Sequence, residues 1–370
     1  MRIGIVTHAE CSDARVEALK KYFDEKYPQA ETLIFAGDFL HIGKKTIENR
    51  KTDRIYVHTK PYYKNLSFGR ISSHLKLSKD IIKKISAIGK FDLLWILVPL
   101  NSLVKESAKY KKKHPETKLV FDIIDCWPES LPIKISPKVF PLNIWKNMRD
   151  KYINAADAVA LECALYKKVL DGKVNENKLK TLYLAGEDPW DMEFLRNKDE
   201  ASLCYLGSIN NIIDIEGIGK VVKDIAKRRK TTVHIIGDGE KKEQLCEALK
   251  AAGAEVVCYG AVFDEKEKIK IFSRCSYGIN MMKKDVCVGL TMKSMDYFRA
   301  SLPVINSISG DTESFVRQYK LGVNIKHENE ISFDEEKLNE MNKNVRSFYE
   351  NNLTIKHFNN TLDEIMQNIF

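Results

Sequence analysis

An alternation repeated from end to end constrains this chain most. Short runs rich in Val, Ile and Leu take turns with stretches of helical periodicity, and the pattern restarts near residue 202. Near-continuous apolar runs read as strands buried on both faces, and strands alternating with helices read as parallel sheets covered by helices. In the first half, strands fall near "RIGIV" (2 to 6), "TLIF" (32 to 35), "RIYVH" (54 to 58), "LLWILV" (93 to 98), "KLVFDII" (118 to 124), "AVALE" (158 to 162) and "KTLYLA" (180 to 185). The second half gives "SLCYLGS" (202 to 208), "TVHIIG" (232 to 237), "EVVCYG" (255 to 260), "YGINMM" (277 to 282), "LPVINS" (302 to 307) and "LGVNI" (321 to 325). The restart predicts an α/β protein of two doubly wound, Rossmann-like domains. Length agrees, because 370 residues exceed what one hydrophobic core usually supports.

Between the two series, "AGEDPWDMEFLRNKDEA" (185 to 201) is charged, lacks periodicity and reads as a linker. The expected division is a first domain at 1–187, a second at 188–333 and a helical segment at 334–370, long enough to pack back on the first domain. A hydrophobic content of 44% and a charged content of 30% suit a globular chain and argue against disorder. No apolar run approaches membrane-spanning length, and "LLWILVPL" (93 to 100) reads as a buried strand. The apolar run at 2 to 6 has no hydrophobic region or cleavage site behind it, so no signal peptide is expected. Eight scattered cysteines, none in C-x-x-C spacing, read as reduced, mostly core thiols of a cytosolic protein, which disfavours a disulfide framework or a zinc site.

Charge is uneven. Residues 41–90 carry thirteen Lys or Arg against three Asp or Glu, a local excess of +10 in a chain whose total is +9. Such a block implies an anionic partner: a phospholipid surface, a pyrophosphate-linked substrate or nucleic acid. Within it, residues 71–90 place Ile71, Leu75, Ile81 or Ile82, Ile85 and Ile88 on one helix face and Lys76, Lys79, Lys83 and Lys84 mainly on another. That pattern fits an ordinary sheet-covering helix, and it also fits a helix lying against anionic lipid.

In open parallel sheets, ligands bind beyond the carboxyl ends of the strands, where helix N-termini present unpaired N–H groups suited to phosphate. Three turns of the second half qualify. In "YLGSINNIIDIEGI" (205 to 218), Gly207 ends the strand and lets a diphosphate approach the backbone, or serves the turn alone. In "IIGDGEKKEQL" (235 to 245), Gly237 and Gly239 bracket Asp238. In "DVCVGLTMKSMDY" (285 to 297), Gly289 precedes a helix whose early amides, at Leu290, Thr291 and Met292, could hold phosphate. Lys293 would add positive charge there, and Asp296 could accept hydrogen bonds from ribose hydroxyls. Three residues apart, the same two side chains could instead pair at the surface.

Several segments, in order, resemble the family 4 glycosyltransferases, retaining enzymes of the GT-B fold, and in particular the capsule and lipopolysaccharide members. "SDARV" (12 to 16) is similar to "SDPRV", "IIDCWPESLP" (123 to 132) to "RDLWPES", and "AADAVALE" (155 to 162) to "ADAVI". "LAGEDP" (184 to 189) occupies the place of "NGVD", "IIGDGEKKEQL" resembles "IVGDGP", and "GLTMKSMDYFRASLPVI" (289 to 305) resembles "GLPNKLFEYMAAGLPVI". The resemblance implies two domains facing a cleft, with Lys293 near the donor phosphates, Asp296 on ribose and the amides of Leu290 to Met292 around the diphosphate. It further implies that Asp125, after the "KLVFDII" strand, orients or deprotonates the acceptor hydroxyl; a helix or turn cap beside Trp127 and Pro128 is the other reading of that residue. Three positions depart from the family's pattern. Val288 stands where many members carry Glu, Glu216 where a basic residue is usual, and "THAECSDARV" (7 to 16) replaces a Gly-rich loop. Glu216 leaves Lys293 to carry more of the charge compensation.

The expected activity is sugar transfer from a nucleotide diphosphate-sugar to an acceptor hydroxyl, with retention, in polysaccharide or glycoconjugate synthesis. The basic first domain suggests a lipid-linked or glycan acceptor at the cytoplasmic face of a membrane. No D-x-D motif stands at a suitable strand end, and no metal or other cofactor is expected. A non-catalytic GT-B subunit supporting a partner transferase is the alternative. An epimerase would need a cluster of acids and His around the sugar, which the sequence does not show. Nucleic acid would explain the charge but not the second domain, and is not expected as a partner.

Overall fold

The computed structural model describes residues 1–8, 13–41, 43–64, 67–131, 140, 142–326 and 330–370. Residues 9–12 of the first-loop motif therefore lie outside the described residues, as do parts of the basic block. The chain divides into two compact units, Met1–Ala185 together with Phe358–Phe370, and Gly186–His357.

In the first unit the strands are β1 (Arg2–Val6), β2 (Glu31–Gly37), the short hairpin β3 (Phe39–Leu40) and β4 (Lys45–Thr46), β5 (Arg54–Val57), β6 (Leu93–Val98), β7 (Lys118–Ile123), β8 (Ala158–Leu161) and β9 (Leu179–Thr181). Seven of them form one sheet in the order β5-β2-β1-β6-β7-β8-β9, parallel throughout. The direction of winding reverses between β1 and β6, which makes that edge the topological switch point. Strand β6 is buried along its whole length, as its unbroken apolar sequence requires. The last strand is shorter and earlier than "KTLYLA" suggests, because only 179–181 find a partner on β8.

A buried ion pair ties this sheet to the helix α1 (Asp13–Lys26). Arg15 donates to both carboxylate oxygens of Asp122, at 2.8 and 2.7 Å, and to the Leu182 carbonyl at 2.9 Å. The Trp95 indole donates to the same carboxylate at 2.9 Å. Arg15 belongs to the "SDARV" motif and Asp122 to "KLVFDII", so two sequence signatures meet as one structural contact.

The helix of the basic block, α2 (Phe68–Ile88), is capped by Ser67, whose side chain accepts from the Arg70 amide. Its buried face holds His74, Leu77, Ser78, Ile81 and Ile85, a rotation from the stripe read in the sequence. Ile71 and Leu75 are only half-buried and pack on the Trp127 and Trp145 cluster. Lys76, Lys79, Lys83 and Lys84 are exposed. Much of the rest of the block is neutralised from outside it: Arg54 reaches Asp13 and Glu17 at 2.6 Å each, Lys51 reaches the same two at 3.2 Å, and Arg50 reaches Asp38 at 2.8 Å. Among the described residues no helix is long and apolar enough to cross a membrane.

In the second unit β10 (Glu200–Leu206), β11 (Lys230–Ile236), β12 (Glu255–Gly260), β13 (Tyr277–Asn280), β14 (Val304–Asn306) and β15 (Gly322–Asn324) form a parallel sheet in the order β12-β11-β10-β13-β14-β15. Its switch point lies between β10 and β13. The stretch 185–201 is not a free linker from Gly186 onward but part of this unit. Trp190 is buried against Phe272, at 6.0 Å between ring centroids, and Arg196 donates to Asn342 at 2.7 Å. Of the helical segment 334–370, α11 (Glu335–Asn352) lies in the second unit, whereas Phe358–Phe370 belongs to the first. There Asp363 takes the Tyr22 hydroxyl at 2.7 Å and Lys26 at 3.0 Å. Among the described cysteines, Cys126, Cys163, Cys204 and Cys275 are buried, whereas Cys258 is exposed.

Candidate functional site

At the carboxyl end of β10 and β11 lies a cavity of about 330 Å³ within the second unit. Gly207, Gly237, Asp238, Met292, Lys293 and Asp296 line it, together with Leu206, Ser208, Ile236, Ala261 to Phe263, and Lys268. Six of the positions singled out in the sequence thus share one hollow.

Glycine is required at its floor. Gly237 has a φ of 150°, and a Cβ there would lie 2.0 Å from the Gly207 carbonyl oxygen, so the two turns could not approach with any larger residue. Gly207, at a φ of 112°, has no heavy atom within 4 Å of the place its Cβ would take, which leaves its backbone open. Asp238 is exposed, and its carboxylate accepts from the Gly239 amide at 2.8 Å.

The wall is α9 (Met292–Arg299), placed by polar contacts at its start and by a tyrosine at its end. Thr291 is its N-cap and accepts from the Ser294 amide at 3.1 Å. Beneath it, Asn280, Asn306 and Asn324 stand in register on β13, β14 and β15 and pass hydrogen bonds along the row, at 3.0 and 2.8 Å. Ser294 donates to Asn280 at 3.3 Å, tying the helix to this row. At the far end, the Tyr297 hydroxyl receives the Leu206 amide at 2.8 Å and donates to the Cys204 carbonyl at 3.1 Å. Lys293, one turn earlier, is thereby held beside the end of β10.

Lys293 is 8% exposed. Its ammonium lies 4.9 Å from the centroid of the Tyr205 ring, and among the described residues no carboxylate pairs with it. Burial lowers its pKa to about 8. Asp296 behaves differently, since Lys268 of α8 (Glu265–Phe272) donates to its Oδ2 at 2.9 Å. Lys293 and Asp296 therefore do not form the surface pair that their spacing permits.

Gly289, Leu290 and Thr291 stand next to this cavity but do not line it. The first two are buried, the Gly289 carbonyl accepts from Thr312, and Thr291 is spent on the cap. Glu216 is on the exposed face of α6 (Ile215–Ala226), paired with Lys220 at 2.6 Å, and is absent from the lining.

Asp125 lies in the first unit, just past β7. It accepts from the Ser130 hydroxyl, and its pKa is raised by burial, with Ser130 and Arg70 opposing. A second acid, Glu162, follows β8 directly; burial pushes it up to about 8, with Arg15 opposing and Asp122 and Asp125 adding to the rise. The sequence reading passed over Glu162 although it closes the "AVALE" strand, where a carboxylate after an apolar run marks a strand end. Beyond β1 and around Tyr62 gather three imidazoles. His41 meets the Tyr62 hydroxyl at 2.8 Å, and the His74 ring is 5.5 Å from the Tyr62 ring and 6.3 Å from that of His8. Burial and the Arg70 charge keep them neutral, with His8 down to about 3 and His41 to about 4. Among the described residues no group of three or more His, Cys, Asp or Glu is arranged to hold a metal ion.

Two parallel Rossmann-like sheets, each with a strand-end site, define the GT-B class. Solved structures of that class align over nearly the whole chain. The chain is similar to the lipopolysaccharide outer core galactosyltransferase WaaB in its apo form, at 14% identity and a TM-score of 0.62, covering 100% of this chain and 98% of that one. It is similar to Anabaena Alr3699/HepE in complex with UDP, at 12% identity and a TM-score of 0.67, covering 99% and 100%. It is also similar to the sucrose-phosphate synthase of Thermosynechococcus elongatus, at 10% identity and a TM-score of 0.70, covering 100% and 99%. No curated protein sequence matches it significantly. Residues 200–350 match the family model described as glycosyl transferases group 1. That match lies within the second unit, and the likeness to the solved structures extends the GT-B fold over the whole chain.

Proposed function

We propose that the protein transfers a sugar from a nucleotide diphosphate-sugar to an acceptor hydroxyl, with retention at the anomeric carbon, in the synthesis of a polysaccharide or glycoconjugate. One observation carries the donor assignment: a buried lysine with no carboxylate partner among the described residues, Lys293, facing a strand-end cavity whose glycine turns leave backbone exposed. An unpaired buried cation costs stability, and a diphosphate would offset that cost. The HepE structures with UDP and with UDP-glucose favour a donor of this kind.

In this reading Lys293 stabilises the charge that develops on the departing diphosphate. The Gly207 and Gly237 turns lie along the phosphates, Asp238 and the start of α9 at Met292 complete their surroundings, and Asp296 receives the ribose hydroxyls. Asp125 orients or deprotonates the acceptor hydroxyl, with its carboxyl held by Ser130. A lipid-linked or glycan acceptor at the cytoplasmic face of a membrane fits the exposed Lys76, Lys79, Lys83 and Lys84 of α2. No cofactor is invoked.

The test is a panel of nucleotide diphosphate-sugars given to the purified chain, first by thermal shift and then by release of the nucleoside diphosphate. At least one donor should raise the melting temperature and be turned over. A panel with no stabilising donor and no turnover would overturn the reading.

A further inference from the structure

The ion pair between Lys268 and Asp296 is not accounted for by that reading. It joins α8 to α9 across the cavity wall, and both side chains line the cavity. Neither is on the open surface; the side chains are 16% and 27% exposed. Asp296 therefore meets a nucleotide as a carboxylate already neutralised and held at one oxygen. The lysine contacts Oδ2 only, and no hydrogen bond to Oδ1 is formed among the described residues.

A carboxylate that must receive a ribose diol needs a fixed position, and Lys268 supplies it: its ammonium holds Oδ2 by a charge-assisted hydrogen bond. Its place in the chain suits the task, since α8 is capped by Asp264 and its last turn buries Ile271 and Phe272, so Lys268 projects from an anchored helix. The other cation of the cavity, Lys293, lies over Tyr205 instead and, among the described residues, has no carboxylate of its own. The two lysines divide the work, one holding the carboxylate and the other meeting the phosphates.

We infer that Lys268 is a positioning residue that acts through Asp296 to make the site select ribonucleoside diphosphates over their deoxyribose counterparts. This rests on the donor reading above and deepens it, naming the sugar of the nucleotide as the feature recognised. A pocket built to hydrogen-bond a hydroxyl rejects an analogue lacking it, because its own polar group is then left without a partner.

Calorimetric titration with UDP, GDP, ADP and CDP, each beside its 2′,3′-dideoxy form, tests it. The unaltered protein should bind one of the ribonucleotides roughly ten- to a hundredfold more tightly than its dideoxy form, the range of one hydrogen bond to a charged group. In Lys268→Met that preference should shrink to near unity, whereas Lys268→Arg should retain most of it. Asp296→Asn and the double variant should bind alike, since a residue acting through Asp296 has nothing further to lose. Equal loss for ribose and dideoxy ligands, or additive losses in the double variant, would show Lys268 to be an independent cation and overturn the inference alone. Unchanged binding by Lys268→Met would also overturn it. If the unaltered protein binds none of the eight ligands, the donor reading fails and takes this inference with it. Melting temperatures of all variants, compared with the unaltered chain, separate these outcomes from misfolding.

Discussion

Each unit buries a cation beneath its sheet's carboxyl end, and the two are treated in opposite ways. Arg15 of the first unit is 5% exposed and meets a carboxylate through two hydrogen bonds, with a third to a carbonyl. Lys293 of the second is 8% exposed and, among the described residues, meets an aromatic ring and no carboxylate. A buried charge with all its partners fixes a structure, whereas one without them stores a demand that a ligand can meet. The contrast separates two residues that a motif reading would equally call conspicuous: Arg15 is satisfied within the fold, whereas Lys293 is the residue that the proposed reading assigns to the donor phosphates.

Breaking the first pair should give the largest change in stability. Asp122→Ala leaves the Arg15 guanidinium and the Trp95 indole without their acceptor, and should cost the first unit about 3–5 kcal/mol. Urea unfolding checks this, and a loss below about 1 kcal/mol would remove the pair's structural role. Lys293→Met should do the reverse. Its stability should hold or rise, because an unpartnered buried charge is gone, while turnover falls roughly 10²–10³-fold, the effect of losing one group that stabilises developing charge.

The pH dependence sharpens the comparison at a smaller scale. With a folded pKa near 8, below the ordinary value of 10.5, Lys293 loses its charge in the empty site as pH rises through 8. Nucleoside diphosphate affinity should therefore weaken above pH 8, by at most about tenfold per pH unit, the slope of one proton. The stability contribution has the opposite sign. Between the two pKa values the unfolded chain binds the extra proton, so this group adds stability as pH rises from about 8 towards 10.5. The smallest effect belongs to the exposed face of the first unit. If α2 meets anionic lipid, Lys83→Gln should weaken binding to vesicles rich in phosphatidylserine by about 1 kcal/mol at low salt, and unchanged flotation would count against that surface.

Much of this architecture was legible because its strands are short apolar runs: β6, an unbroken one, could scarcely be read otherwise. The boundaries drifted where composition and pairing part company, as in "KTLYLA", whose apolar tail runs past the last paired residue. The cavity lining was legible at Gly207, Gly237, Lys293 and Asp296, since strand-end glycines and a charged first helical turn are local signals. Lys268 was not, because it sits in the charged run "EKEKIK", 28 residues before its partner, and only the fold brings α8 to α9. The asparagine row was hidden for the same reason. Each member ends a different strand, and no single window contains two of them. The buried stripe of α2 was misjudged because His74 and Ser78 are polar by composition yet inward-facing by position.

Proton uptake on binding of UDP, or of whichever nucleoside diphosphate binds best, tests the role of Lys293 most directly. Calorimetry at pH 8 in buffers of different ionisation enthalpy should show about half a proton taken up by the unaltered protein, as the diphosphate restores the charge on a half-titrated lysine. Lys293→Met should bind weakly and take up none. Equal affinity and equal uptake in the two proteins would contradict the account.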